Sequence, residues 1–586
     1  LHLYKQALNL QKMKNLYKFP IVIMAMLWIN SINAQQRYLS EIFTDAQIQV
    51  LTDVQYGENL SIMPTIAGAL SNPPQSIPPQ VLPLRVDIYM PNPNVDTETN
   101  RPLILYIPTG NFLPPVVNGA PTGTRKDSSA VNIAKQLAKR GYVCGVIEYR
   151  LGWNPFAPQQ VVRTGTILNA AYKGMQDSKA AVRFFRADRA GANAYKIDPE
   201  RVALIGEGTG GYIALTHGYL DRGAKIGLLP GPNGDKFLLD GENSVVDTNR
   251  VGKFDGDDAI PIDLTDFATS GGNLLLVKGN IANSPGFPSA VNGIINLGGA
   301  LGDPSWLEAG QIPLIGVHAV RDPNAPYNIG NVIVPTTGNI VIPDASGSGE
   351  NLSLANQYGN NAVFANKIYN DPITQAVESR YNQTISFSPG TINTRSGKGL
   401  LPFILPEASQ RPFNHGSPWQ FWDQNSPQAQ APSTIENPQQ PGTFLSIHQS
   451  GSLSNFNMAQ GNAVGRNAAL AYIDTIQQYI HPRLVCILNL PQCALFETVN
   501  VNEVSNAHLV QIFPNPSNDN VNIQVKDENN RINLVSVFDI AGRNVLHRAN
   551  LNTNNYLIER EGLKAGIYLV RIETANGAIT QRVVLN

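Results

Sequence analysis

Four apolar residues, Val202-Ala203-Leu204-Ile205, run directly into Gly206-Glu207-Gly208-Thr209-Gly210-Gly211, and a helical pattern, Tyr212-Ile213-Ala214-Leu215, follows at once. This is a strand, a tight turn and a helix, and it constrains the fold more than any other stretch. The sequence upstream supplies the context. Leu84 to Met90 alternates and reads as a strand ending at Pro91, while Leu103 to Ile107 is a continuous apolar run of the kind expected for a strand buried on both faces. Ser128 to Lys139 has helical periodicity and stops at Gly141, Tyr142 to Tyr149 is another buried strand, and Leu168 to Phe185 is a long helical pattern. Strands alternating with helices predict an α/β domain whose mostly parallel sheet is covered by helices on both faces. The glycine turn then tops a central strand, where such sheets place their sites.

Two chemistries use a turn of this kind, and a third reading is a close-packed turn with no ligand. Gly206-x-Gly208-x-x-Gly211 satisfies the dinucleotide-binding fingerprint. That fingerprint opens the first βαβ unit, whereas two strand–helix units precede this one. It also needs an acid at the end of the next strand, about twenty residues on. Asp221 comes too early, in Tyr219-Leu220-Asp221-Arg222, which reads as a helix end. The other chemistry is a nucleophile elbow, Gly-x-Ser-x-Gly, in which Gly206 and Gly210 hold the outer positions and Gly208 stands where serine belongs.

In that setting the chain resembles the carboxylesterase-like α/β-hydrolases from about Leu84 to about Leu490. Arg101 to Phe112, containing Pro108-Thr109-Gly110-Asn111, is similar to the strand and loop that carry a His-Gly-Gly-Gly oxyanion motif. Gly141 to Tyr149 with Arg150-Leu151-Gly152 resembles the next strand and its Tyr-Arg-Leu loop, and Asp198-Pro199-Glu200-Arg201-Val202 leads into the elbow as it does in the family. Pro313 to Asp322, followed by Pro326-Tyr327, resembles the strand and loop of the triad acid, which the match places at Asp322. The resemblance implies an oxyanion-type loop at Gly110 and Asn111, completed by the N–H of Thr209. Two departures stand out: Pro108-Thr109 replaces His-Gly, and Gly208 replaces serine.

Glycine at position 208 has no side chain with which to form an acyl-enzyme. Thr209 carries a hydroxyl one position late, and is expected to cap its own helix locally rather than attack a substrate. Triad order in this fold is nucleophile, acid, histidine. Among the histidines beyond Asp322, His415 and His448 are the candidates for the base. His508 belongs to a later domain, and His481 is expected at a helix end before Pro482, suited to the helix dipole. Trp419, Phe421 and Trp422 cluster near His415, as a pocket wall or as ordinary packing.

The ends of the chain point to export. From Leu1 to Ala34 there are four lysines and no acid, then the apolar run Phe19 to Ile29 and Ser31-Ile32-Asn33-Ala34. This reads as a secretory signal peptide over residues 1–34, too short to span a membrane. Leu1 in place of Met suggests an alternative start, with Met13 a plausible true one. At the other end, period-2 strands broken by Gly and Asn turns predict a small all-β sandwich. Phe513-Pro514-Asn515-Pro516, Asp539-Ile540-Ala541-Gly542-Arg543 and Gly566-Ile567-Tyr568-Leu569-Val570 occur there in order. They resemble the type A sorting domain of type IX secretion cargo, over residues 505–586. The resemblance implies that the type IX machinery carries the protein to the cell surface or medium. The expected organisation is a hydrolase-like domain over 35–498, a polar linker at 499–504 and the sorting domain.

Composition fits an extracellular globular protein. Only 15% of residues are charged, and the formal net charge of −1 still includes the leader lysines. No basic face for nucleic acid follows from this balance, and no segment beyond the leader is apolar enough to span a membrane. Of three cysteines, Cys144 is expected as a buried free thiol, while Cys486 and Cys493 are close enough to bridge in an oxidising compartment. Two segments rich in Gly, Asn, Pro and Ser, Asp221 to Pro288 and Asn328 to about Ser446, read as insertions on the site face. Within them Phe254-Asp255-Gly256-Asp257-Asp258 lacks EF-hand spacing and reads as a solvated acidic turn. No cofactor or metal is called for. Two functions follow: a carboxylesterase-type protein without serine-esterase chemistry, or a non-catalytic surface binding or scaffold protein on the same fold. An active hydrolase using Thr209 is a lesser variant of the first.

Overall fold

A computed structural model describes residues 37–70, 74–113, 122–226, 234–238, 244–333, 338–387, 390–405, 416–421, 434–436, 444–446, 462–497, 510–527, 529–539, 543–560, 562–575 and 577–586. The chain divides into two compact units between Glu497 and Thr498.

The first unit is built on an eight-stranded sheet. Its strands are β1 (Ile48–Ser61), β2 (Gln80–Pro91), β3 (Arg101–Ile107), β4 (Val143–Ile147), β5 (Ile197–Glu207), β6 (Gly293–Leu297), β7 (Leu314–Ala319) and β8 (Leu400–Phe403), in the order β1-β2-β4-β3-β5-β6-β7-β8. β2 runs antiparallel to both neighbours, and every pair from β4 to β8 is parallel. Parallel neighbours need crossovers, which the chain supplies as helices α1 (Ser128–Lys139), α2 (Gln160–Ala190) and α3 (Thr209–Tyr219). A further helix, α4 (Asn462–Ile487), closes the unit.

The continuous apolar run of β3 is explained by what covers it. Leu103, Leu105 and Ile107 face one core with Met175 and Phe185 of α2 and Ile213 and Leu215 of α3. Ile104 and Tyr106 face the other, with Ile133 and Leu137 of α1 and Ile473 and Ile480 of α4. Since both faces are covered, alternation would leave polar groups buried, so none is present. The sheet is mostly parallel and covered on both faces, as the alternation of strands and helices predicts.

α1 has the bounds read from periodicity. α2 is longer than its apolar pattern, because polar residues on its buried side tie down loops: Asn169 donates to Val245 O at 2.8 Å and Gln176 to Val251 O at 2.9 Å. β1 has no clear sequence signature, since two register shifts against β2 interrupt its alternation. His481 does not end a helix: α4 continues through Pro482 to Ile487, and the imidazole is buried, its centroid 5.8 Å from that of Tyr142. Burial holds its pKa well below the ordinary value, so it contributes no charge to a helix terminus.

Cys144 is a buried free thiol in β4, and Cys486 and Cys493 are joined in a disulfide at the end of α4. In the first insertion, Asp255 pairs with Lys179 at 3.1 Å and accepts from the Ser289 hydroxyl at 2.9 Å. Asp258 accepts the Lys253 N–H at 2.9 Å, and Asp255 and Asp257 stay exposed, as a solvated turn requires. Among the described residues no helix is long and apolar enough to cross a membrane, and no group of His, Cys, Asp or Glu is arranged to hold a metal ion.

The second unit is a β-sandwich of two antiparallel sheets. One joins β9 (Val510–Phe513), β10 (Val521–Val525) and β13 (Asn555–Ile558) in the order β9-β10-β13. The other joins β11 (Ile532–Asp539), β12 (Asn544–Thr553), β14 (Gly566–Thr574) and β15 (Gly577–Leu585) in the order β12-β11-β14-β15. Alternate residues, such as Ile523, Val535, Val537, Val570 and Ile572, meet in one core.

Candidate functional site

The turn between β5 and α3 is held by glycines for backbone reasons. A Cβ on Gly206 would strike the carbonyl of Gly210, and one on Gly210 would strike the carbonyl of Ile107. The outer glycines are therefore required by the packing of α3 against β3 and β5, whatever stands at the centre. Gly208 has φ 53° and ψ −116°, a conformation that glycine adopts freely and other residues hold only under strain. Its N–H donates to Leu297 O at the end of β6, at 2.8 Å.

The first loop reaches the turn through Thr109. A Cβ built on Gly208 would overlap Thr109 Oγ1 and stand 3.0 Å from Thr109 Cβ. The threonine hydroxyl thus occupies the volume that a side chain at 208 would enter. Gly110 and Asn111, expected from the resemblance to form the oxyanion-type loop, lie further along. Gly110 packs on Gly123, and Asn111 is exposed with φ 55°. Thr109 is the residue of this loop that a side chain at 208 would meet.

Thr209 is the first residue of α3, and Gly208 holds the N-cap position, so the expected local cap is not formed. The Thr209 hydroxyl instead meets Tyr149 Oη at 3.2 Å. The Tyr149 hydroxyl donates to Pro108 O at 3.0 Å, so its oxygen accepts from Thr209. Burial raises the Tyr149 pKa, keeping the phenol neutral and useless as a base toward Thr209. As the first helical residue, Thr209 presents an N–H without an intrahelical acceptor.

Glu207 faces the sheet interior. Its carboxylate accepts from Tyr106 Oη at 2.7 Å, Trp419 Nε1 at 2.8 Å and Gln420 Nε2 at 3.0 Å. Burial raises its pKa, and the three donors oppose that rise. The aromatic cluster of the sequence is here a clamp: Trp419 is fully buried and pins its segment to the elbow strand. Trp422 lies outside the described residues. Close by, Asp127 accepts the N–H groups of Gly123 and Thr124 at 2.7 and 3.1 Å, and burial pushes its pKa up to about 7.

Asp322 follows β7 and is almost completely enclosed. Its Oδ1 accepts the N–H groups of Asn324 and Ala325 at 2.7 and 3.1 Å, and its Oδ2 lies 3.4 Å from His318 Nε2. His318 Nδ1 in turn is 3.2 Å from the Ser348 hydroxyl, deep in the core. Cβ atoms on Gly298 and Gly416 would stand 3.5 and 3.1 Å from the Asp322 carboxylate. The ends of β5, β6 and β7 therefore bring Gly208, Gly298 and Asp322 together. Gly416, the residue after His415, lies on the same carboxylate. His415 and His448 themselves lie outside the described residues.

The BD-FAE family, esterase-like α/β-hydrolases, matches residues 86–253, and the secretion system C-terminal sorting domain matches residues 511–586. The first unit carries a BD-FAE domain and the second is a sorting domain. The BD-FAE match includes Thr109 and Gly208 and stops before Asp322. No curated protein matches the chain. Among solved structures, the butyrate-bound Est2 esterase of Thermogutta terrifontis is similar at 15% identity over 42% of this chain and 70% of that one, with a TM-score of 0.25. Esterase 2 of the same organism phosphorylated by paraoxon is similar at 17% identity over 42% and 69%, with a TM-score of 0.24.

Sequence reasoning singled out the replacements at 109 and 208 but not their contact. The signal was present: a residue larger than the family's glycine faces one smaller than its serine. The clamp at Glu207 and the brace at Tyr149 had no such signal, because each depends on a partner distant in sequence.

Proposed function

We propose that this chain is a secreted or cell-surface protein of carboxylesterase type, carried outward by type IX secretion, that has no serine-esterase activity. The observation supporting this is the filling of the elbow: position 208 offers no hydroxyl, and Thr109 takes the volume one would need. Asp322 is the acid of the site, with His415 or His448 as its histidine. Thr209 is a poor nucleophile because its hydroxyl donates to a neutral Tyr149. The signal peptide at 1–34 and the linker at 499–504 belong to the same reading, which the sorting domain supports.

A non-catalytic binding role on the same fold is the second reading, favoured by a cavity that adjoins Tyr149. One experiment tests the loss of chemistry. The purified chain is incubated with a fluorophosphonate probe and any adduct is mapped by mass spectrometry. No labelling within residues 206–211 is expected; an adduct on Thr209 would overturn the proposal.

A further inference from the structure

Next to the elbow lies a cavity of about 600 Å³, within the range of small-molecule sites. Pro108 and Tyr149 line its inner end, so one phenol ring separates it from Thr209. Met63, Leu82, Leu84 and Leu151 give it apolar walls.

Four cations also line it, and they differ in how far they are committed. Arg125 is spent on Asp87, on Asp53 at 2.7 Å and on Glu148 at 3.2 Å. Arg150 is buried and locked to Asp177 at 2.8 Å. Lys126 is half-exposed, and one of its three donors meets Asp87 at 2.7 Å. Arg85 is half-exposed and ion-paired at 3.8 Å, beyond hydrogen-bond range, with Glu148, whose carboxylate also lines the cavity. That carboxylate is already taken, by the Arg85 backbone N–H at 2.7 Å and by Arg125. Among the described residues the Arg85 guanidinium makes no hydrogen bond, so its planar fork is available.

We propose that this cavity binds an organic carboxylate with an apolar body, the carboxylate bridging Arg85 and Lys126 and the body lying along Leu82 and Leu151. The proposal rests on the reading of the site as nucleophile-free, since it assigns the cavity to binding and not to turnover. A guanidinium with no hydrogen bond of its own matches a carboxylate in two parallel bonds, and a neutral ester or alcohol leaves those donors unused. The apolar walls provide burial for the rest of the ligand, so charge and body are read by different surfaces.

Isothermal titration of the full chain with 4-phenylbutyrate and with its neutral counterpart 4-phenylbutanol tests this. The acid should bind at least about tenfold more tightly than the alcohol. Arg85→Gln should remove that preference by weakening the acid and leaving the alcohol unchanged, and Leu82→Glu, at an exposed position, should weaken both. Equal binding of acid and alcohol, no binding of the acid up to its solubility limit, or indifference to Arg85→Gln would each overturn the proposal. Fluorophosphonate labelling of the same preparation keeps the two readings apart. An adduct at the elbow overturns the nucleophile-free reading whatever the titration shows, and absent binding without an adduct overturns the ligand assignment alone.

Discussion

The two halves of the site have been kept by different means. On the acid side, the Asp322 carboxylate is fixed by two backbone N–H groups and flanked by His318. On the elbow side, position 208 carries no side chain, and Gly206 and Gly210 are demanded by close backbone contacts. The difference shows that an elbow's shape and its chemistry are separable. The packing of α3 on the sheet depends on the turn, while the volume beside position 208 is taken by Thr109.

The sharpest way to break this comparison is to remove what braces the elbow side. Arg150 and Asp177 are both almost fully buried, and Asp177 also accepts the Arg150 N–H at 2.7 Å, so this pair sets the loop that carries Tyr149. Asp177→Asn leaves a buried guanidinium without its counter-charge and should lower stability by about 3–5 kcal/mol. Denaturant unfolding of the purified chain measures it. A loss below about 1 kcal/mol would mean that the elbow side is not held from this loop.

A smaller effect tests the coupling between the two replaced positions. Gly208→Ser alone meets Thr109 and a positive φ, and should destabilise by about 1–3 kcal/mol. Adding Thr109→Gly frees the volume and should recover about half of that loss, a clear departure from additivity. The double variant is also the one in which fluorophosphonate labelling at position 208 should appear first. Strict additivity of the two substitutions would show that Thr109 is not the residue filling the elbow.

Much of the scaffold was legible because local and tertiary demands coincide. β3 is apolar throughout since both faces are covered, and α1 ends where Gly141 stops it. The sorting domain was legible for a similar reason, its alternating strands facing a single core. The site was less legible. Gly208 and Asp322 sit in local motifs and could be named, but Thr109 gains its meaning only from a contact across two loops. His481 was misplaced because a proline inside a helix reads locally as its end, whereas packing against Tyr142 carries the helix through. His318, 3.4 Å from Asp322, reads as one more residue of a buried strand.

The smallest expected effect concerns the charge beneath the elbow. Glu207 is fully buried with three neutral donors and no cation, and burial raises its pKa above the ordinary 4.5. The folded state therefore holds this proton more tightly than the unfolded chain does. The stability so gained is complete below about pH 4.5 and is lost as pH rises through the folded pKa. Asp127, pushed up to about 7, acts with the same sign over a window that ends near neutrality. Glu207→Gln preserves the geometry: its amide oxygen accepts from Trp419 and Gln420, and its amide nitrogen donates to the Tyr106 oxygen. Relative to the parent, the variant should then gain stability as pH rises from 4 to 8 in thermal unfolding. The variant should be no less stable than the parent at pH 8, within about 1 kcal/mol, and should gain nothing at pH 4. An unchanged slope would place the titration on other groups. A large loss at every pH would make the ionised carboxylate itself the element that holds Trp419, and with it the acid-side segment, to the elbow.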